Sequence, residues 1–273
     1  MASPTMLQKI VDEQVVNPRD ISSLRLIAYG STSAPPRLVA DAKCILGCAL
    51  QQWYGSTEMV GMASILRDED HQKALVDSSE ILKSCGKAIL GTEIQIRDAR
   101  GRVAPTGEPG DVHVRSTAMF SGYHNLPHAT KSAMAGGWFK PGDIGKMDSN
   151  GYLYVLDRAG FEVRTQSTMV FTTEMERLLA SHISIKEVAV APTHESVSKP
   201  AIGLFVVFSS DVETHAASVL ELARTHVSDK GINLDLYPLL ELPRGATGKV
   251  NKLRLREQAL DRTLPVYSLM EQK

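Results

Sequence analysis

QQWYGSTEM, residues 51–59, is the stretch on which the fold turns. Trp53 and Tyr54 read as the end of a buried strand, and Gly55-Ser56-Thr57 as a tight turn after it. A chain that turns beside two aromatics and then presents a hydroxyl and a carboxylate suits a nucleotide. A ring can stack on a base, the backbone can come close at Gly55, and Thr57 and Glu58 can reach phosphate and a hard cation. The same turn also closes many ordinary strands, so the flanking sequence has to decide.

Upstream, SLRLIAYG (23–30) is a second compact apolar run ending in glycine. Between the two runs lies PPRLVADAKCIL (35–46), a helix pattern with proline in its first turn, and LQKIVDEQVV (7–16) has the apolar spacing of another helix. Strand, loop, helix, strand is the order of a parallel sheet, whose ligands gather at the carboxyl ends of the strands. Gly30 and the segment Tyr54–Glu58 both fall at such ends.

Downstream, from about residue 85, the texture changes. GTEIQIRDARGRVAPTGEPGDVHVRS (91–116) and GGWFKPGDIGKMDSNGYLYVLDR (136–158) alternate in short strands broken by Gly, Pro and Asp, predicting a small antiparallel sheet or barrel with SNG as a hairpin turn. Beyond Arg158, TTEMERLLASH (172–182) predicts a helix capped by Thr172 or Thr173, with Glu176 near its first turn. KEVAVAP and AIGLFVVFS follow as buried strands and HAASVLELARTHV as an amphipathic helix. The change from β-rich to α+β places a boundary near 157–160, dividing residues 1–157 from 158–273.

Composition narrows the function classes. Thirty basic against thirty-one acidic residues leave a net charge of −1, with no footprint for nucleic acid or an anionic membrane. No apolar run approaches a membrane span, and MASPTMLQKI lacks the basic and apolar regions of a signal peptide, so a cytoplasmic, reducing setting is expected. Three cysteines make no disulfide framework. Cys44 and Cys48, four apart, read as sharing one helix face, as packing rather than as metal ligands.

Three further pieces carry chemistry. In GWFKPGDIG (137–145), Asp143 is presented beside glycines, and its carboxylate can accept two hydrogen bonds from a diol such as ribose. GYLYVLDR ends in Arg158, a fixed charge suited to phosphate or ribose. LPRGATGKVNKLRLRE (242–257) delivers Lys249 from a glycine-rich turn.

In order and spacing these segments resemble the adenylate-forming, AMP-binding superfamily of acyl-CoA synthetases, aryl-CoA ligases, adenylation domains and firefly luciferase. The resemblance runs through nearly the whole chain, and YGSTE, GWFKPGD and the late GKV lysine carry it. It implies an α/β plus α+β fold: the C-terminal portion of a large AMP-binding domain (a parallel sheet piece with a small β-barrel-like subdomain), then a small α+β lid domain. It also implies roles. Tyr54 would stack on adenine, with Gly30 and Ser31 lining the other side of the base, and Gly55 would let the backbone approach. Thr57 would touch the α-phosphate and Glu58 hold Mg2+. Asp143 would bind the ribose hydroxyls, Arg158 would add a ribose or phosphate contact, and Lys249 would bridge carboxylate and α-phosphate. The reaction implied is ATP-dependent activation of a small carboxylic acid through an acyl-adenylate, then acyl transfer to coenzyme A or a pantetheine thiol.

The chain also departs from the family. Family members run to about twice its 273 residues, and no segment resembles the loop that grips the β- and γ-phosphates. Gly160 takes the hinge place, Thr165-Gln166-Ser167 replaces a small-residue turn, Pro141 precedes Asp143 where threonine is common, and Gly245 stands for another threonine before Lys249. A partial ligase, served by an N-terminal half in trans or by an acyl-carrier protein, is therefore weighed against a truncated, non-catalytic nucleotide-binding or protein-interaction relative. A third expectation is a fragment that does not fold stably, because strands meant for the middle of a sheet are left with open edges.

Overall fold

A computed structural model describes residues 1–31, 34–77, 79–165, 168–194, 200–228, 230–245 and 248–267. The chain forms two units, Met1–Leu156 and Asp157–Lys273.

In the first unit, helix α1 (Pro4–Val16) starts three residues before the spacing of residues 7–16 indicates, because Ser3 accepts the Met6 N–H and Pro4 opens the first turn. Strand β1 (Leu26–Gly30), helix α2 (Pro36–Leu46) and strand β2 (Ala49–Tyr54) follow. β1 and β2 are parallel, with Leu26 opposite Ala49 and Gly30 opposite Trp53. Strands β3 (Ser64–Leu66) and β4 (Lys87–Ala88) extend this sheet antiparallel in the order β1-β2-β3-β4, with helix α3 (Asp68–Val76) between them. Leu7, Tyr29, Val39 and Leu50 are fully buried in its core.

Gly47, at φ 61°, ends α2 in the left-handed conformation. Cys48 therefore lies past the helix, buried under the sheet, while Cys44 is exposed. The two do not share a helix face, because the helix stops at Gly47 between them.

Tyr29 and His71 meet in this core, both 0% exposed. The Arg67 carbonyl lies 2.7 Å from His71 Nδ1 and can only accept, so Nδ1 carries the proton and Nε2 accepts the Tyr29 hydroxyl at 2.7 Å. Burial pushes the Tyr29 phenol up and His71 down, keeping both neutral.

The second sheet comprises β5 (Thr92–Arg97), β6 (Gly110–Ser116), β7 (Met134–Ala135), β8 (Trp138–Phe139), β9 (Asp143–Met147) and β10 (Leu153–Arg158), with helix α4 (Pro127–Ala133) before β7. Its order is β10-β9-β6-β8-β7, with β5 on β6. Of the two forms expected here the structure has the sheet, with no barrel among the described residues. Ile96, Val112, Val114, Phe139 and Leu153 form its core face. On the other face the Arg97 and Arg115 guanidinium groups lie 4.8 and 4.5 Å from the Trp138 ring. The expected hairpin turn joins β9 to β10: Asp148 Oδ1 accepts the N–H groups of Asn150 and Tyr152.

In the second unit, β11 (Val163–Arg164) pairs with β12 (Met169–Val170). Helix α5 (Thr172–Leu179) leads to strands β13 (Ile185–His194) and β14 (Ala201–Phe208), helix α6 (Val212–Val227), strand β15 (Asn233–Pro238) and helix α7 (Lys252–Leu260). β14 pairs antiparallel with β13 and parallel with β15. One face of this sheet packs Val190, Ile202 and Leu204 with Met175, Leu179, Val219, Leu220 and Ala223 of α5 and α6. The other packs Ala189, Ala191 and Phe205 with Leu255 and Ala259 of α7.

The cap of α5 differs from the sequence expectation. Neither Thr172 nor Thr173 caps it; the cap position is Phe171, which makes no side-chain bond. Asp157, fifteen residues earlier, supplies the acceptor: its Oδ2 takes the Thr172 N–H at 2.5 Å and the Thr172 hydroxyl at 3.0 Å. A carboxylate at a helix start complements the macrodipole better than a hydroxyl does. Glu176 lies beyond the first turn and faces Lys252.

Candidate active site

The turn after β2 is built by backbone crowding. A Cβ on Gly55 would sit 2.4 Å from the Gly61 carbonyl oxygen and 2.6 Å from Met62 Cα, so glycine is the residue that fits. Thr57–Met59 makes a single 3-10 turn, and the Ala63 N–H returns to the Tyr54 carbonyl at 2.7 Å. Thr57 is exposed and Glu58 half-buried.

Two side chains of this turn are fixed from far along the chain. The Tyr54 hydroxyl donates to Asp143 Oδ2 at 2.6 Å, and the Tyr123 hydroxyl donates to Glu58 Oε1 at 2.8 Å. Phe120 binds the turn as well, its N–H reaching the Glu58 carbonyl at 2.9 Å while its ring packs edge-on against Tyr123 and Phe139. Met59 and Ala63 anchor the turn in the core, and Tyr54 packs against the same cluster. Asp143 opens β9 immediately after Gly142, at φ 81°, and before the buried Ile144.

Gly30 is buried opposite Trp53, one residue short of Tyr54, and a Cβ there would lie 2.3 Å from the Trp53 carbonyl oxygen. That glycine serves the close approach of β1 to β2. Ser31 follows, exposed at φ 72°, leaving the sheet at the end where Tyr54 leaves it.

The structure thus brings Gly30, Ser31, Tyr54, Gly55, Thr57, Glu58 and Asp143 to one end of the first unit's strands. Arg158 and Lys249 belong to the second unit. Arg158 is exposed at the end of β10, its N–H donated to Asp157 Oδ1 at 2.8 Å. Lys249 is exposed on a hairpin closed by the Arg244–Val250 bridge, and its carbonyl accepts the Gly245 N–H at 2.9 Å. Gly160 takes φ 88°, and the Thr165 N–H bonds the Thr168 carbonyl; Gln166 and Ser167 lie outside the described residues.

Tyr123 is the residue that the sequence did not single out. Its role rests on a contact spanning 65 positions, which no local pattern signals. It also lines an open groove of about 520 Å³ with Ser121, His124, Thr130, Lys131 and Met134.

Glu58 is the candidate to hold a magnesium ion, and Tyr54 and Asp143 are the candidates to hold a nucleotide. Among the described residues no three His, Cys, Asp or Glu side chains gather as a metal cage. A single carboxylate such as Glu58 is nevertheless what Mg2+ needs when phosphate oxygens and water complete its octahedron. No helix among the described residues is long and apolar enough to cross a membrane.

Comparison with known proteins shows what the chain is similar to. Residues 1–124 match the family model described as AMP-binding enzyme. A medium/long-chain-fatty-acid–CoA ligase of Mycobacterium tuberculosis is 30% identical over 211 residues, 77% of this chain and 36% of that protein. An indoleacetate–CoA ligase of Aromatoleum aromaticum is 29% identical over 260 residues, 95% of this chain and 49% of that protein. The o-succinylbenzoate CoA synthetase of Bacillus subtilis superposes at TM-score 0.80 with 27% identity in complex with its acyl-adenylate intermediate. With ATP and a magnesium ion the same enzyme gives 0.79 and 28%. These alignments cover 93% and 94% of this chain and 50% of each solved chain. The chain spans about half the length of these relatives, or less.

Proposed function

Because this chain belongs to the AMP-binding, adenylate-forming family, we propose that it carries the adenosine-binding side chains and the lysine of an acid–thiol ligase. A carboxylate oxygen of a small organic acid attacks the α-phosphorus of ATP, the bond to the bridging oxygen breaks, and pyrophosphate leaves. A thiol sulfur of coenzyme A or a pantetheine arm then attacks the acyl carbon, AMP departs with the electron pair, and the thiol proton passes to solvent.

Tyr54 offers its ring to adenine, with the Gly30–Ser31 loop on the other side of the base. Asp143 accepts the ribose hydroxyls, Arg158 adds a ribose or phosphate contact, and Thr57 donates to the α-phosphate. Mg2+, when bound at Glu58, neutralises phosphate charge. Lys249 places an ammonium where two anions meet and negative charge grows, the electrostatic contribution that dominates such transfers.

The single observation that carries this reading is the 2.6 Å contact between Tyr54 and Asp143, which joins the base-stacking candidate to the ribose candidate across 89 positions. The test has two arms. AMP affinity of the full chain is measured by titration calorimetry, and carboxylate-dependent ATP–pyrophosphate exchange is measured with and without the N-terminal half of a relative. Asp143→Asn is expected to weaken AMP roughly 10-fold or more, as loss of charged hydrogen bonds does. Lys249→Ala is expected to lower exchange roughly 100- to 1,000-fold while sparing AMP affinity. AMP binding without exchange in either format leaves a nucleotide-binding relative. No AMP binding, or equal loss of binding and exchange in Lys249→Ala, refutes the assignment.

A further inference from the structure

The hairpin that presents Lys249 is held at both stems by ion pairs. On the entering side, Arg244 donates through Nη1 to the Gly248 carbonyl at 2.9 Å and pairs through Nη2 with Glu187 at 2.9 Å. On the leaving side, Lys252 opens α7 with its Nζ 2.7 Å from Glu176 Oε1. The first pair is open to solvent, its side chains 44% and 36% exposed. The second is largely enclosed, at 22% and 21%.

The enclosed pair sits where apolar packing is thin. Leu253 and Arg254 are exposed, and the first fully buried side chain of α7 is Leu255. Between the partly buried Val250 and Leu255, Lys252 is the side chain that reaches inward, its ammonium 5.7 Å from the Phe161 ring. Glu176 is itself fixed, because Oε1 also accepts the Val190 N–H at 2.7 Å. Its helix α5 is capped by the Asp157 carboxylate. The hairpin backbone closes onto this anchor through the Asn251 N–H, which bonds the Pro243 carbonyl at 2.7 Å.

We propose that Lys252 and Glu176 are positioning residues, whose ion pair fixes the start of α7 and through it the hairpin that presents Lys249. The proposal rests on the reading of Lys249 as the adenylation lysine. It also separates two lysines three residues apart: Lys249, exposed at the hairpin end, does the chemistry, and Lys252, turned inward, sets where that end stands. A flexible stem would let the ammonium wander by an ångström or more, a displacement that commonly costs roughly 100-fold in rate.

The test uses four variants of the full chain: Lys252→Met, Lys252→Arg, Glu176→Gln, and the double variant Lys252→Met/Glu176→Gln. Each is read by thermal midpoint, by amide hydrogen exchange at Gly245 and Asn251, and by kcat and KM for ATP in the exchange assay. Either single neutralisation strands a charge, so both are expected to lower the midpoint. The double variant removes both partners and leaves only Asp157 without the nearby Lys252 charge, so it is expected to regain part of the loss.

A positioning role predicts that the double variant still exchanges at Gly245 and Asn251 roughly 10-fold faster than the parent. Its kcat is expected to fall roughly 10- to 100-fold with KM for ATP unchanged. Lys252→Arg, which keeps the charge and the reach, is expected to restore both. Parental exchange in a folded double variant, or Lys252→Arg behaving as Lys252→Met does, overturns the proposal. If the parent chain catalyses no adenylation with or without the N-terminal half of a relative, the ligase reading fails on its own, and hydrogen exchange still decides the positioning.

Discussion

Asp157 gives the sharpest stability prediction. The residue is 2% exposed, and its carboxylate accepts from four donors: the Thr172 N–H at 2.5 Å, the Thr172 hydroxyl at 3.0 Å, the Thr173 hydroxyl at 3.3 Å and the Arg158 N–H at 2.8 Å. Replacing it with alanine removes a helix cap worth about 1 kcal/mol. It also leaves the remaining donors facing a void, where one buried unsatisfied group costs about 1–3 kcal/mol. Relief of the charge's own burial offsets part of this, because burial raises the Asp157 pKa above its ordinary 3.8 despite the Lys252 charge nearby. The net loss for Asp157→Ala comes to about 2–4 kcal/mol.

The loss belongs to the second unit. It is measured by native-state hydrogen exchange at the α5 amides, with β2 amides of the first unit as the internal reference, since two units need not unfold together. A loss under about 1 kcal/mol, or one shared equally by β2, refutes the long-range cap. A pH arm sharpens the test. A raised folded pKa means that the group's stabilisation is complete below the ordinary value and is lost as pH rises through the folded one. The advantage of the parent over Asp157→Asn, which cannot ionise, should therefore shrink as pH rises above the ordinary carboxylate value.

His71 works in the opposite sense. Burial lowers its pKa from 6.5, so the unfolded chain binds a proton that the folded chain refuses. First-unit stability should hold above about pH 6.5 and fall below it, by up to about 1.4 kcal/mol per pH unit within the window. Urea titrations at pH 7.5 and 5.5 check this, and an equal pH slope in His71→Gln refutes it. Gly55→Ala must force the turn away from Gly61. It should destabilise the first unit by about 1–3 kcal/mol and weaken AMP together with stability. Parental values of both in that variant would show that the turn yields more freely than its backbone contacts indicate.

Local chemistry was legible in the sequence where neighbours along the chain determine it. The β1–α2–β2 pattern, the turn at Gly55 and the Asp148 hairpin follow from apolar spacing and from residues that favour turns. Residues fixed from a distance were not legible. Thr172 looked like a cap because threonine usually is one, and the fold supplied the stronger carboxylate of Asp157 instead. Tyr123 and Lys252 carry no local signature, because each gains its role from a partner 65 or 76 positions away. The i, i+4 spacing of Cys44 and Cys48 suggests one helix face only if the helix continues, and the left-handed stop at Gly47 ends it between them.

The tethers of Tyr54 and Glu58 also bear on the order in which this chain acquires structure. Neither can form until strand β9 and the Phe120–Tyr123 segment have found the end of β2, across sequence separations of 89 and 65. Closing such long loops is slow and entropically late. A nascent chain that has laid down only its first hundred residues holds the aromatic turn yet lacks the acid and the phenol that give it shape, so the turn takes its final form only once the antiparallel sheet has been made.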